Sequence, residues 1–139
     1  MSAARCADVA GAVRRQLALA VPARLLLPPL LAHLDAAAEA GPESACGLLG
    51  LLGAAVDAMD GAALSSHYEA VAAALLRALD LRRRRPAALL AASDGLDRTE
   101  AAAVACYVRL ALRLTEARFR PLFLRLLEWA DAAPAAGEP

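Results

Sequence analysis

The chain contains no lysine, no isoleucine and no asparagine among its 139 residues. All three are specified by A/T-rich codons, and a GC-rich gene accounts for their joint loss. All 15 basic residues are therefore arginine, and that uniformity is not evidence for phosphate recognition. Aromatic residues are scarce, with two Phe, two Tyr and one Trp, so a core must be built from Leu and Ala. Val is sparse, and without Ile a large sheet is disfavoured. The 15 basic residues balance 15 acidic ones, which removes any global drive toward nucleic acid or an anionic membrane. Cysteine is limited to Cys6, Cys46 and Cys106. Their wide spacing, odd number and lack of a CxxC pair support neither a zinc site nor a disulfide framework. Each falls in a helical pattern and reads as a buried, reduced thiol, which fits a reducing compartment.

No apolar run reaches the roughly 20 residues needed to cross a bilayer. The stretch from Leu17 to Ala32 is interrupted by Pro22, Arg24, Pro28 and Pro29. Arg14 and Arg15 ahead of Leu17 imitate a signal peptide, but Asp8 sits in the would-be basic region and no clean cleavage site follows.

What remains is a composition rich in Leu, Ala, Arg and Glu, residues that lose little side-chain freedom in a helix. The length suits one domain, in which folding buries roughly 68% of the unfolded surface. Six helical segments are expected. The first runs from about Ala3 to Ala20. Pro22 breaks the chain and Ala23–Leu27 reads as a short turn. A second helix opens at Pro28-Pro29, where prolines suit a first turn, and stops at Gly41-Pro42. The third covers Glu43 to Met59, with Ala45, Leu48, Leu49, Leu52, Val56 and Met59 on one face.

The fourth helix is expected to open on a capping box of Ser66 and Glu69. Its apolar face is Tyr68, Val71, Ala72, Leu75, Leu76 and Leu79. The stretch from Arg82 to Leu96 reads as a helix end and an irregular loop, with a helical turn at Ala87–Ala92. Asp97 and Glu100 form a second capping-box pattern. The fifth helix then presents Val104, Tyr107, Val108, Ala111 and Leu112, with Arg109, Arg113 and Glu116 opposite. Pro121 belongs in the first turn of the sixth helix, which starts between Ala117 and Pro121. Its stripe is Phe119, Leu122, Phe123, Leu126, Leu127 and Ala130. The fold class implied is all-α, with antiparallel hairpins forming a HEAT-like α-solenoid of about three repeats. A compact helical bundle is the alternative, since no strict internal repeat is visible.

Several motifs invite a chemical reading. Gly47, Gly50 and Gly53 do not match a phosphate-loop pattern and no strand precedes them; close approach of another helix explains them better. Arg82-Arg83-Arg84-Arg85 suits RNA phosphates or nuclear import, or a solvated run at the negative end of a helix dipole. Ser65-Ser66-His67 holds a nucleophile and a base, but adjacent helical residues do not face each other. His33 and His67 lack metal-ligand partners. Asp35, Glu39, Asp57 and Asp60 read as solvent-facing. No active-site constellation, metal site or cofactor site emerges, and Trp129 with the two Phe reads as packing between the last helices, with a partner contact for part of the Trp ring.

The segment from Arg118 to Ala130, RFRPLFLRLLEWA, carries both Phe and the sole Trp. With Arg113-Leu114-Thr115-Glu116 before it, it resembles a block in the C-terminal part of the HEAT-repeat subunit of the small-subunit processome, the U3 small nucleolar RNA-associated protein ten family. Val21-Pro22-Ala23-Arg24-Leu25-Leu26-Leu27-Pro28 and Leu75-Leu76-Arg77-Ala78-Leu79-Asp80-Leu81-Arg82 resemble earlier segments of that family in order. Leu124 stands where an aromatic is usual, and Arg113 and Arg125 stand where the family has Lys.

The resemblance implies a non-enzymatic scaffold in the nucleolus. It would act in pre-rRNA processing toward 18S rRNA and, in some lineages, in rRNA transcription. Its partners would be other processome proteins and the U3 snoRNA/pre-rRNA particle, with no membrane or small-molecule substrate; a generic armadillo-like adaptor is the alternative. Residues 1–131 would form the repeat domain, a piece of a longer solenoid, and 132–139 a flexible tail. Candidate contacts to RNA or a partner are Arg82, Arg83, Arg84, Arg85, Arg118 and Arg120. Phe119, Pro121, Phe123 and Trp129 are the motif's packing residues, and Trp129 and its neighbours are the expected exposed apolar surface.

Overall fold

The computed structural model describes residues 2–84 and 94–132, apart from the side chains of Arg84 and Asp94. Among the described residues seven helices follow one another: α1 (Ala3–Ala20), α2 (Ala23–Ala40), α3 (Pro42–Ala58), α4 (Gly61–Leu79), α5 (Leu81–Arg84), α6 (Asp94–Arg113) and α7 (Glu116–Asp131). α5 is a single turn, so six full helices remain. Among the described residues there is no strand. The turn expected at Ala87–Ala92, along with Arg85 and most of the expected tail, lies outside the described residues.

Contacts arrange the six long helices in two layers. α1, α3 and α6 lie side by side in one, and α2, α4 and α7 in the other, with α2 against α3 and α4 against α6 across the layers. This is the stagger of stacked helix pairs, a short all-α solenoid. α3 is its centre, packing against α1, α2 and α6. Leu49, Leu52, Ala55 and Val56 of α3 meet Leu27, Leu30 and Leu34 of α2, Val71 and Leu75 of α4, and Ala103 and Leu110 of α6 in one continuous core.

Helix boundaries depart from the sequence expectation in four places. α2 begins five residues before Pro28, so Pro28 and Pro29 lie inside it. Each proline removes an N–H that would bond four residues back, here to the Arg24 and Leu25 carbonyls. Both of those residues are exposed, which is where a freed carbonyl costs least. Pro121 likewise sits in the second turn of α7, and both it and Ala117, four residues back, are exposed.

α4 begins at Gly61 and is capped by Asp60, whose Oδ1 accepts the Ala63 N–H at 2.8 Å. Ser66 is therefore inside the helix, its hydroxyl donating to the Ala62 carbonyl at 3.1 Å. Asp97 and Glu100 are also interior, since α6 begins at Asp94; they serve as ion-pair acceptors instead.

Gly41 both ends α2 and opens α3, at φ 150° and ψ 169°. That region is closed to residues with a Cβ. Gly41→Ala is expected to lower stability by about 1–3 kcal/mol, read as a drop in thermal midpoint with an unchanged helical spectrum.

The glycine row of α3 is a seat for arginines. A Cβ on Gly53 would stand 2.7 Å from Arg109 Nη1, and one on Gly50 would stand 3.3 Å from Arg14 Cδ. The small residues do admit neighbouring helices, through guanidinium groups laid over the α3 backbone. Arg109 thus lies over α3 while remaining exposed to solvent. Arg113 Nη1 donates to the Val56 carbonyl at 2.6 Å and also to those of Asp57 and Met59. It caps the C-terminus of α3, where a cation meets unpaired carbonyls and the negative dipole end.

The buried face of α6 is Thr99, Ala103, Cys106, Tyr107 and Leu110. Only Tyr107 of the expected stripe is among them. α6 must meet α3 and α4 at once, and small side chains let it approach both; the bulkier Val104, Val108 and Leu112 point outward.

The thiols also divide. Cys106 is buried, Cys46 is half-buried and Cys6 is exposed, so the expectation of three buried thiols fails at Cys6. Burial pushes the Cys106 thiol up to about 12. At pH 8 a thiol-reactive disulfide should therefore label Cys6 quickly, Cys46 more slowly and Cys106 only after denaturation. Three equally fast thiols would contradict the packing of α6.

Candidate functional site

Two features meet where α4 ends. The first is a charged junction. Arg82 in α5 reaches α6, with Nε donating to Glu100 Oε1 at 2.8 Å and Nη2 to Asp97. These carboxylates hold the Arg82 guanidinium even more firmly protonated than usual. Arg83 reaches α7. Its Nη1 donates to the Trp129 carbonyl at 2.7 Å, and its guanidinium carbon lies 4.0 Å from the centroid of the indole. The Trp129 Nε1–H donates to Asp80 Oδ1 at 3.2 Å. Two of the four consecutive arginines thus fasten helices together. The carboxylates Asp97 and Glu100, three residues apart on one helix face, were the sequence signal for this role.

The second feature is a groove between α6 and α7. Val104, Tyr107 and Val108 form one wall, Leu126 and Trp129 the other, and Leu79 and Glu100 close it, around about 420 Å³. Tyr107 joins the helices at its base, the hydroxyl donating to the Leu122 carbonyl at 3.3 Å. Burial pushes the Tyr107 phenol upward, so the hydroxyl stays a donor at neutral pH. The lining is almost wholly apolar, which suits docking and not chemistry.

The remaining motif residues lie along α7. Phe119 is half-buried and its ring centroid is 5.7 Å from that of Phe123. Phe123 is exposed, as are Leu124 and Leu127. Trp129 is held half-buried by Arg83 and Asp80, so the open apolar face consists of its neighbours. Arg118 lies 5.6 Å from the Tyr68 ring centroid, and Arg120 is exposed.

A separate cleft of about 470 Å³ is bordered by Arg24, Asp60, Ser66 and His67. The Ser65 and Ser66 hydroxyls donate to the Gly61 and Ala62 carbonyls, leaving neither aimed at a base. His33 Nδ1 bonds the Pro29 carbonyl at 2.7 Å. Asp35 meets Arg77 at 3.5 Å and Asp57 meets Arg109 at 3.6 Å. Among the described residues no cluster of His, Cys, Asp or Glu is placed to hold a metal. No described helix is long and apolar enough to cross a membrane.

The charged junction and the groove lie within a recognisable family segment: residues 63–138 match the BP28CT (NUC211) domain. The chain belongs to the BP28CT domain family. Among its relatives is an uncharacterized protein of Arabidopsis thaliana, 36% identical over 123 residues, covering 88% of this chain and 5% of the relative. U3 small nucleolar RNA-associated protein 10 of Schizosaccharomyces pombe is 33% identical over 110 residues, covering 79% of this chain and 6% of the relative. HEAT repeat-containing protein 1 of Homo sapiens is 35% identical over 72 residues, covering 52% of this chain and 3% of the relative. The chain therefore spans only a small fraction of the length of these relatives. No solved structure matches it. The BP28CT match takes in α4, α5, α6 and α7, so the junction of Arg82, Arg83 and Trp129 is part of the family segment.

Proposed function

We propose that this chain is a non-catalytic scaffold segment of a nucleolar small-subunit processome, acting in ribosome biogenesis and supporting pre-rRNA processing toward 18S rRNA. The observation that carries the reading is the BP28CT match over residues 63–138, joined to relatives named for association with U3 small nucleolar RNA. The architecture supports it. A two-layer helical stack offers long surfaces to several protein partners and needs no catalytic pocket. In this reading residues 1–131 act as one helical-repeat unit, and the partners are other processome proteins and the particle containing U3 RNA and pre-rRNA.

Affinity recovery of the tagged full-length gene product is the test. U3 RNA should be enriched in the eluate and the protein should stain nucleoli. Diffuse cytosolic staining with no U3 enrichment overturns the reading.

The apolar groove between α6 and α7 favours a second reading, a general adaptor of the armadillo or HEAT kind that receives a partner's amphipathic helix. It predicts protein partners recovered equally well after ribonuclease treatment and no U3 RNA.

A further inference from the structure

Gly50, in the middle of the α3 glycine row, lines a cleft that lies mostly ahead of the family segment. Arg14 and Arg15 of α1 and Arg109 of α6 border it over Gly50, with Leu19 beside them and Asp57 as its one acid among the described residues, around about 380 Å³. The glycines let the cations lie low. Arg14 Nη2 is 3.7 Å from where a Gly47 Cβ would be, its Nη1 is 3.5 Å from that of Gly50, and Arg15 folds over Gly11 at 3.4 Å. Asp57 pairs with Arg109 at 3.6 Å. No carboxylate of the described residues pairs with Arg14 or Arg15. Arg14 is nevertheless half-buried. No buried side-chain nitrogen of the described residues lacks a partner, so the Arg14 guanidinium stays open to solvent and to an incoming anion that could complete it.

We propose that Arg14, Arg15 and Arg109 form a binding cleft for the phosphates of an RNA backbone. Arg14 covers Gly47 and Gly50 while Arg109 covers Gly53, so the cations are strung along nearly two turns of α3 instead of being focused on one point. Such a row suits a linear polyanion better than a single phosphoryl group. Aromatic side chains do not line the cleft, so it holds the backbone without stacking bases and reads little sequence. The choice of RNA over a phosphorylated peptide rests on the processome reading; the cleft's affinity for phosphate does not.

The test is a fluorescence titration of the full chain with a mixed-sequence 20-nucleotide single-stranded RNA across a series of salt concentrations. A phosphoserine peptide and inorganic phosphate serve as competitors. Binding should weaken with salt, and R14Q/R15Q should lower the log–log slope by about 1.4, two phosphate contacts at roughly 0.7 each. R14K/R15K should restore most of it, and R98Q, outside the cleft, should leave it unchanged. Arg15 is exposed, so R15Q keeps the fold and should lower the slope by about 0.7 even if the double variant unfolds. An unaltered slope in folded R15Q overturns the proposal. So does displacement of RNA by the phosphopeptide at equal phosphate concentration, which assigns the cleft to phosphoproteins. Because U3 recovery is not measured, failure here is separate from failure of the processome reading.

Discussion

Leu52→Ala is expected to lower the unfolding free energy by about 3–4 kcal/mol, and to do so across the whole molecule. Leu52 is 0% exposed at the middle of α3, the helix that touches α1, α2 and α6. Truncation removes transfer free energy and leaves a cavity bounded by three helices, none of which can close it without leaving its own neighbours. A domain of this size has only about 5–15 kcal/mol to lose. A urea titration should show a lower midpoint with an unchanged slope, the mark of lost stability without a changed unfolded state. Leu112→Ala is the contrast. Leu112 is 81% exposed, so its removal should shift stability by no more than about 0.5 kcal/mol. Equal losses at the two positions would mean that α3 is not the centre of the stack.

The second large effect is expected at Trp129, and it should be local. α7 packs chiefly on α4, and of its described residues only Leu122 is fully buried. Its C-terminal half is fastened by the indole: the Nε1–H on Asp80, the Arg83 guanidinium over the ring, and the same guanidinium on the Trp129 carbonyl. Trp129→Ala removes the ring contact, which is worth about 1 kcal/mol as a cation–π pair alone. It also removes a hydrogen bond of about 1 kcal/mol and the indole wall of the groove beside Leu126. The expected loss of about 2–3 kcal/mol approaches the value for truncating a fully buried aromatic. Hydrogen exchange should register it as lost protection over Glu116–Asp131, with α3 and the middle of α4 unchanged. Protection lost evenly along the chain would show that α7 belongs to the same cooperative unit as α3.

These expectations separate what the sequence carried from what it did not. α1 ends where Pro22 says it should, and the buried faces of α3 and α4 follow the spacing of Leu49, Leu52 and Val56 and of Val71, Ala72 and Leu75. Periodicity works there because large aliphatic residues supply the contact. It fails for α6, where Ala103 and Cys106 are buried and Val104 and Val108 are not, because close approach of three helices selects small size over hydrophobicity. The helix starts expected at Pro28, Ser66 and Asp97 do not follow the sequence pattern, because proline suits a first turn, and Ser and Asp suit an N-cap, without requiring either. Asp60 supplies the cap that starts α4 earlier, and the exposed prolines of α2 are accommodated inside the helix.

The arginines were the least legible part of the candidate sites. In sequence they form an undifferentiated surplus. In the fold Arg82 ties α5 to α6, Arg83 clasps Trp129, and Arg113 caps α3. Arg14 and Arg15 border a cleft with no carboxylate of the described residues paired to them. A guanidinium's partner lies on another helix, 18 to 57 residues away in the pairs that matter most, and spacing along one helix cannot reveal it. The block around Trp129 was legible because both Phe, Pro121 and the sole Trp fall together in a chain otherwise dominated by Leu, Ala and Arg.

Depletion of the gene product in cells tests the central claim most directly, with the ratio of newly made 18S rRNA to large-subunit rRNA as the readout. A scaffold of the small-subunit processome predicts that 18S rRNA falls, that its unprocessed precursors accumulate and that large-subunit rRNA falls less. An unchanged ratio with unchanged precursors, in cells shown to lack the protein, would contradict the account.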